Sequence, residues 1–318
     1  MQIVVLDGFA FEDQALDFGP LRSLGELTFY PRTPRELIAQ RIGEAPIVFT
    51  NKCVIDQKVM DACPNLKFIG VFATGYNTID VEYAAQKGIV VCNAPDYSTD
   101  AVAQHVFALI LHFYNRAALH DQSVHAGDWS RCPDFFYAKA PLLELADKTI
   151  GLIGFGNIGR RVAQIARAFS MNALVYTRTP GPEPADGSLR FAPLETVLAQ
   201  SDILSVHCPL TPDTRNLLSR DAFARMKPGA LIINTARGPI VDEAALADAL
   251  NSGKLMGAGV DVVSKEPIAP DNPLLTAKNC VITPHIAWAP LQTRQRLIGI
   301  VAENLRQFLN GTPVHQVN

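Results

Sequence analysis

The chain has 318 residues, 48% of them hydrophobic and 19% charged, a globular composition that excludes long disorder and suits two domains. Its 28 basic and 31 acidic residues leave a net charge of −3, so it carries no electrostatic footprint for nucleic acid or for an anionic membrane. No run of about 18 uninterrupted apolar residues is present, so no segment reads as a membrane span.

Met1–Gly8 reads as a first strand rather than a signal peptide, since it lacks a basic start and a cleavage site. Strands are then expected at Ile3–Leu6, Ile47–Thr50, Phe68–Val71 and Ile89–Cys92, with helices at Val54–Ala62 and Asp80–Lys87 between them. Short β-branched runs separated by helices predict a parallel sheet covered on both faces. Ser98-Thr99-Asp100 can cap a long helix running from Ala101 to about Leu119, with Gly127 as a stop. Residues 128–147 are irregular and aromatic, with Trp129, Phe135, Phe136 and Tyr137 among prolines. Such a stretch packs either on its own domain or on a second subunit.

A second series begins at Thr149. Strands are expected at Thr149–Ile153, Ala173–Thr177, Ile203–His207, Ala230–Asn234, Ala258–Asp261 and Cys280–Ile282. Six strands in βαβ order make a dinucleotide-binding sheet. A last helix, about Leu291–Asn310, returns to the first domain. The cysteines at 53, 63, 92, 132, 208 and 280 form no CxxC pair. They read as reduced thiols of a cytoplasmic protein, without disulfide framework or metal site.

Gly154-Phe155-Gly156-Asn157-Ile158-Gly159 matches GxGxxG, between an expected strand and the amphipathic helix Arg160–Phe169. The first glycine permits a tight turn, the second admits a pyrophosphate to the backbone, and the third allows close helix packing. The following strand normally ends in an acid for the ribose 2′-hydroxyl. Here it runs Tyr176-Thr177-Arg178-Thr179 with no acid. An arginine between two hydroxyls suits a 2′-phosphate, so NADP is favoured and NAD remains possible.

Three ionisable residues stand at strand ends, which in an open parallel sheet face the ligand crevice: Arg237, Glu266 and His285. Together they are the set needed to reduce a 2-keto acid. Arginine binds the carboxylate or polarises the ketone, histidine gives a proton to the developing alkoxide, and glutamate orients and charges the histidine. His207, with Cys208 and Pro209, is expected to line the cofactor site. His105, His112 and His120 lie on the long helix in packed or interface positions. In the first domain, Asn51-Lys52 and Thr74-Gly75 sit in strand-end loops that can face a carboxylate.

The segments Ala73–Asp80 (ATGYNTID), Gly151–Gly159, His207–Thr214 (HCPLTPDT), Asn234–Asp242 (NTARGPIVD), Gly259–Pro267 (GVDVVSKEP) and Thr283–Ala287 resemble the D-isomer-specific 2-hydroxyacid dehydrogenases. Within that family Thr50-Asn51-Lys52, Tyr97–Asp100 and Trp129–Phe135 are similar to the glycerate dehydrogenases, or hydroxypyruvate reductases. The resemblance implies an α/β protein of two doubly wound parallel-sheet domains. One is a flavodoxin-like substrate domain, 1–98 plus 290–318, and the other an inserted Rossmann cofactor domain, 99–289. It implies homodimers joined through the cofactor domain, with the loop near 128–142 reaching the neighbouring subunit.

By the same resemblance Arg237, Glu266 and His285 fall on catalytic positions, and the backbone of Thr74-Gly75 holds the substrate carboxylate. Asp261 lies near the nicotinamide carboxamide, and Thr99, Cys208, Thr214, Thr235 and Ala236 line the cofactor. Close relatives of the glycerate type carry tryptophan where Ala138 stands here.

The expected activity is therefore NAD(P)-dependent reduction of hydroxypyruvate, then glyoxylate. The alternatives are a dehydrogenase of another D-2-hydroxy acid and a dinucleotide-sensing protein like the corepressors built on this fold. Phosphoglycerate oxidation ranks lower for want of a clustered basic set. Formate oxidation ranks lower because it needs no proton-transferring Glu–His pair.

Overall fold

Runs of Val, Ile and Leu too short for helices become strands, and each pairs in parallel with its neighbours. The structure, a computed structural model, describes all 318 residues. They divide into two units, Met1–Ser98 with Trp288–Asn318, and Thr99–Ala287. No helix is long and apolar enough to cross a membrane.

The first unit holds β1 (Gln2–Val5), β2 (Glu26–Phe29), β3 (Ile47–Thr50), β4 (Phe68–Val71) and β5 (Val90–Cys92), in the order β2-β1-β3-β4-β5. Successive side chains of β3 enter opposite cores, as the pleat requires. Ile47 and Phe49 join Leu297, Val301 and Leu305 of the last helix, Leu291–Leu309, on one face. Val48 joins Ile38, Met60 and Ala84 on the other. Strand order reverses between β1 and β3, so their carboxyl ends, near Asp7 and Asn51, flank the position where such sheets take ligands.

Three features of this unit differ from expectation. The helix expected from Val54 begins at Gln57, after Asp56 caps it by accepting from Val59 N at 3.1 Å. Ile55 is instead drawn into a bridge with Ile79. Strand β2 was not foreseen; it is an edge strand with alternate residues exposed, so it lacks the continuous apolar run of its neighbours. Trp288 stands with this unit, its ring 6.2 Å from that of Phe11 and 6.5 Å from that of Tyr97.

The second unit holds β6 (Thr149–Ile153), β7 (Asn172–Tyr176), β8 (Leu189–Phe191), β9 (Ile203–Val206), β10 (Ala230–Asn234), β11 (Leu255–Val260) and β12 (Cys280–Ile282). Their order is β12-β11-β10-β9-β6-β7-β8, seven strands where six were expected. The extra strand, β8, is three residues long and lies at the edge. The long helix covers one face, burying Val106, Leu109, Ile110 and Phe113 with Ile150, Leu152 and Leu231. It spans Thr99–Asn115 and stops where Arg116 turns left-handed at φ 49°; a second helix, Ala117–His125, follows. The helical pattern alone had carried it on to Leu119.

Candidate active site

Strands β12, β11 and β10 are adjacent, and each ends in a candidate residue. His285 follows β12, Glu266 follows β11, and Arg237 follows β10. His285 Nδ1 lies 2.7 Å from Glu266 Oε2, with side chains 30% and 36% exposed. Nδ1 donates to the carboxylate, which leaves Nε2 for a reacting group. Glu266 Oε1 also accepts from Val263 N at 3.3 Å.

Arg237 is exposed and makes no ion pair; its Nη1 donates to Ala236 O at 2.7 Å. Its loop is fixed by Asn234, only 1% exposed. That side chain accepts from Ala236 N at 3.0 Å and donates to Arg237 O at 3.1 Å. A Cβ on Gly238 would stand 1.9 Å from the carbonyl carbon of Val263. Only glycine lets the Arg237 loop lie directly on the loop that leads to Glu266.

His285 adopts φ 55°, a left-handed conformation uncommon outside glycine. Asp261 holds it there. The Asp261 carbonyl accepts from His285 N at 2.8 Å, and its carboxylate accepts from Ile286 N and Ala287 N, each at 2.9 Å. That carboxylate also accepts from the Thr283 hydroxyl at 2.5 Å. The sequence placed Asp261 near a carboxamide; its hold on the histidine segment carried no local signal.

The GxGxxG turn lies at the end of β6, one strand beyond β9. Gly154 has φ 97°, and a Cβ there would meet Cys208 N and the His207 carbonyl at 2.7 Å. A Cβ on Gly159 would stand 2.5 Å from Gly154 O, whereas around Gly156 nothing lies within 4 Å. The turn is thus tight beneath and open above, where the helix Asn157–Ala168 presents its N-terminus, with Asn157 and Ile158 in the first turn. The buried Thr235 hydroxyl has no partner. An open backbone, a helix N-terminus and an orphaned hydroxyl along one edge fit a dinucleotide.

Burial pushes the His207 imidazole down to about 3, so it is neutral, and its Nε2 lies 2.9 Å from Ser205 Oγ. Burial raises the Cys208 thiol to about 11. The Thr214 hydroxyl donates to Pro209 O at 2.7 Å and accepts from Thr211 N at 2.7 Å, so it shapes its own loop. Thr99 opens the long helix. After β7, Thr177 is half-buried, and Arg178 and Thr179 are exposed; Arg178 makes no ion pair.

In the first unit, Asn51 and Lys52 follow β3. The Asp7 carboxylate accepts from Asn51 N, Lys52 N and Cys53 N at 2.8, 2.5 and 2.9 Å. Asn51 Nδ2 donates to Phe72 O at 3.0 Å, which ties this loop to the end of β4. Thr74 Oγ1 donates to Ala94 O at 2.9 Å, and the backbone N–H groups of Thr74 and Gly75 donate to no protein acceptor. Sequence reasoning missed Asp7, although an acid directly after a strand was a signal.

Residues 107–287 match the family described as D-isomer specific 2-hydroxyacid dehydrogenase, NAD binding domain. The chain is 46% identical over 321 residues to a hydroxypyruvate reductase of Blautia hydrogenotrophica, covering 100% of both. It is 38% identical over 287 residues to a glycerate dehydrogenase of Methylorubrum extorquens, covering 90% of this chain and 89% of that one. A crystal structure of an NADPH-dependent glyoxylate/hydroxypyruvate reductase from Sinorhizobium meliloti superposes with TM-score 0.83 at 30% identity, covering 99% of this chain and 97% of that one. The cofactor of this chain is a nicotinamide dinucleotide. On these matches the chain belongs to the D-isomer-specific 2-hydroxyacid dehydrogenases.

Proposed function

We propose that this dehydrogenase reduces a small 2-keto acid to the D-2-hydroxy acid, hydroxypyruvate first and glyoxylate second. The observation that carries the reading is the 2.7 Å pair of His285 and Glu266 at adjacent strand ends. The reduced nicotinamide, when bound, supplies a hydride to the carbonyl carbon. His285 Nε2 gives the proton that the carbonyl oxygen takes up, and Glu266 holds the ring by its other nitrogen. Arg237, free of any ion pair, binds the substrate carboxylate or polarises the ketone. The unpaired N–H groups of Thr74 and Gly75 make a carboxylate site on the first unit, with Asn51 and Lys52 beside β3 as further substrate contacts. Relatives named hydroxypyruvate reductase, glycerate dehydrogenase and glyoxylate reductase support this substrate class.

For the cofactor, NADPH is favoured over NADH. Arg178 is exposed and unpaired where an acid would repel a 2′-phosphate. Cys208, Pro209, Thr214, Thr235, Ala236 and Thr99 are read as lining the same dinucleotide. The chain acts as a homodimer through its second unit. Phe135 is 87% and Phe136 64% exposed, and Trp129 and Leu142 in the same segment are exposed too, apolar side chains suited to a subunit contact.

Following nicotinamide absorbance with hydroxypyruvate, glyoxylate and larger 2-keto acids, each with NADPH and NADH, tests the reading. Turnover is expected to be fastest with hydroxypyruvate and NADPH. Dinucleotide binding without turnover of any 2-keto acid would favour the sensing protein instead.

A further inference from the structure

We propose that His105 is a positioning residue for His285, acting through the Thr283 hydroxyl and the Asp261 carboxylate. The inference rests on His285 being the proton donor.

The Asp261 side chain is 1% exposed, so its charge must be met by donors within the protein. Ala287 N serves Oδ2 at 2.9 Å; Ile286 N at 2.9 Å and Thr283 Oγ1 at 2.5 Å serve Oδ1. A carboxylate has no proton to give, so the one hydroxyl proton of Thr283 goes to Asp261. The Thr283 oxygen can then only accept from its other neighbour, His105 Nε2, 3.0 Å away. That fixes the proton of His105 on Nε2 and makes a directed chain from His105 to Thr283 to Asp261. His105 Nε2 also lies 3.5 Å from Asp261 Oδ1.

The two ends of this chain differ in rigidity. His105 stands on the helix Thr99–Asn115, where Ala103, Val106 and Phe107 are packed in the core. At the other end, residues 283–287 have a non-glycine residue, His285, at φ 55°. A left-handed residue persists only where its surroundings hold it. Asp261 holds both N–H groups that follow His285, and the chain from His105 fixes where Asp261 stands. Tertiary pairing across 178 residues brings His105 to Thr283, so no local pattern announced it.

The test compares His105→Leu, Thr283→Val, the double variant and His105→Gln in hydroxypyruvate reduction, with dinucleotide affinity measured separately by fluorescence titration. His105→Leu and Thr283→Val should each lower kcat about tenfold, the scale of one hydrogen bond, while KM and dinucleotide affinity stay near parental values. The double variant should be no slower than the slower single one, since both cut the same chain. Glutamine keeps an N–H donor near the position of Nε2, so His105→Gln should regain most of the lost turnover.

Parental kcat in His105→Leu and Thr283→Val, additive losses in the double variant, or a His105→Gln as slow as His105→Leu would each overturn the inference. Thr283→Val keeps the shape of threonine and decides alone if His105→Leu does not fold. His285→Ala is run in parallel. Retained turnover there defeats the reading of His285 itself; an inactive His285→Ala beside fully active His105→Leu and Thr283→Val defeats only the role given to His105.

Discussion

Glu266 Oε2 meets His285 Nδ1 at 2.7 Å although 19 residues separate them. The parallel pairing of β11 with β12, Val260 opposite Ile282, brings their strand ends together. The carboxylate thereby sets which ring nitrogen is left outside the pair, the one proposed to give the proton. Glu266→Gln keeps the shape but loses the carboxylate that holds the ring through Nδ1. It should lower kcat for reduction by about tenfold to a hundredfold, within the range assigned to acid–base partners. Dinucleotide affinity should hold. Unchanged turnover by steady-state kinetics would remove Glu266 from this role.

Arg237 is held by its backbone through Asn234 while its guanidinium has no carboxylate partner in the protein. A guanidinium offers two parallel donors, which lysine cannot reproduce. Arg237→Lys should therefore lower kcat/KM strongly for every 2-keto acid tested, with NADPH still bound. Near-parental kcat/KM would count against Arg237 as the substrate anchor.

Arg178 is exposed, with no acid near the end of β7 in sequence. NADPH should be preferred over NADH by roughly tenfold or more in kcat/KM, less at high salt because the site faces solvent. Arg178→Ala should bring the ratio close to unity. Equal use of both cofactors in the parent, or a ratio that the substitution leaves alone, would show that Arg178 does not choose between them.

His207 gives a pH dependence of stability. Burial lowers its folded-state value to about 3, against 6.5 for the ordinary imidazole. Between those values the unfolded chain binds a proton that the folded chain does not. Stability is thus fully present above pH ~6.5 and falls as acid is added toward pH ~3, by at most about 1.4 kcal/mol per unit from this residue. Thermal melts of the parent and His207→Asn across that window check it. The variant should lose less stability on acidification, and identical slopes would refute the assignment.

Strands buried on both faces, such as β3, β4 and β10, were legible because their apolar runs are continuous. The edge strands β2 and β8 were not, being short and half-exposed. The break at Arg116 was hidden because apolar residues continue with helical period through it. Glu266 and His285 could be read because each follows a strand that parallel pairing sets beside the other. The grip of Asp7 on the Asn51–Cys53 loop, and of Asp261 on the segment after His285, depends on contacts between distant stretches. The place of Asp7 just after a strand was a signal, but which loop it grips had none, and the grip of Asp261 has no period or spacing to reveal it.

The proposed mechanism turns on proton donation by His285. It is tested most directly by the kcat of His285→Ala with hydroxypyruvate and NADPH, alongside the dinucleotide affinity of the same variant. A loss of at least ~10²-fold in kcat, the scale of a positioned acid, is expected, with affinity close to that of the parent. A variant that binds the dinucleotide and keeps most of its turnover would contradict it.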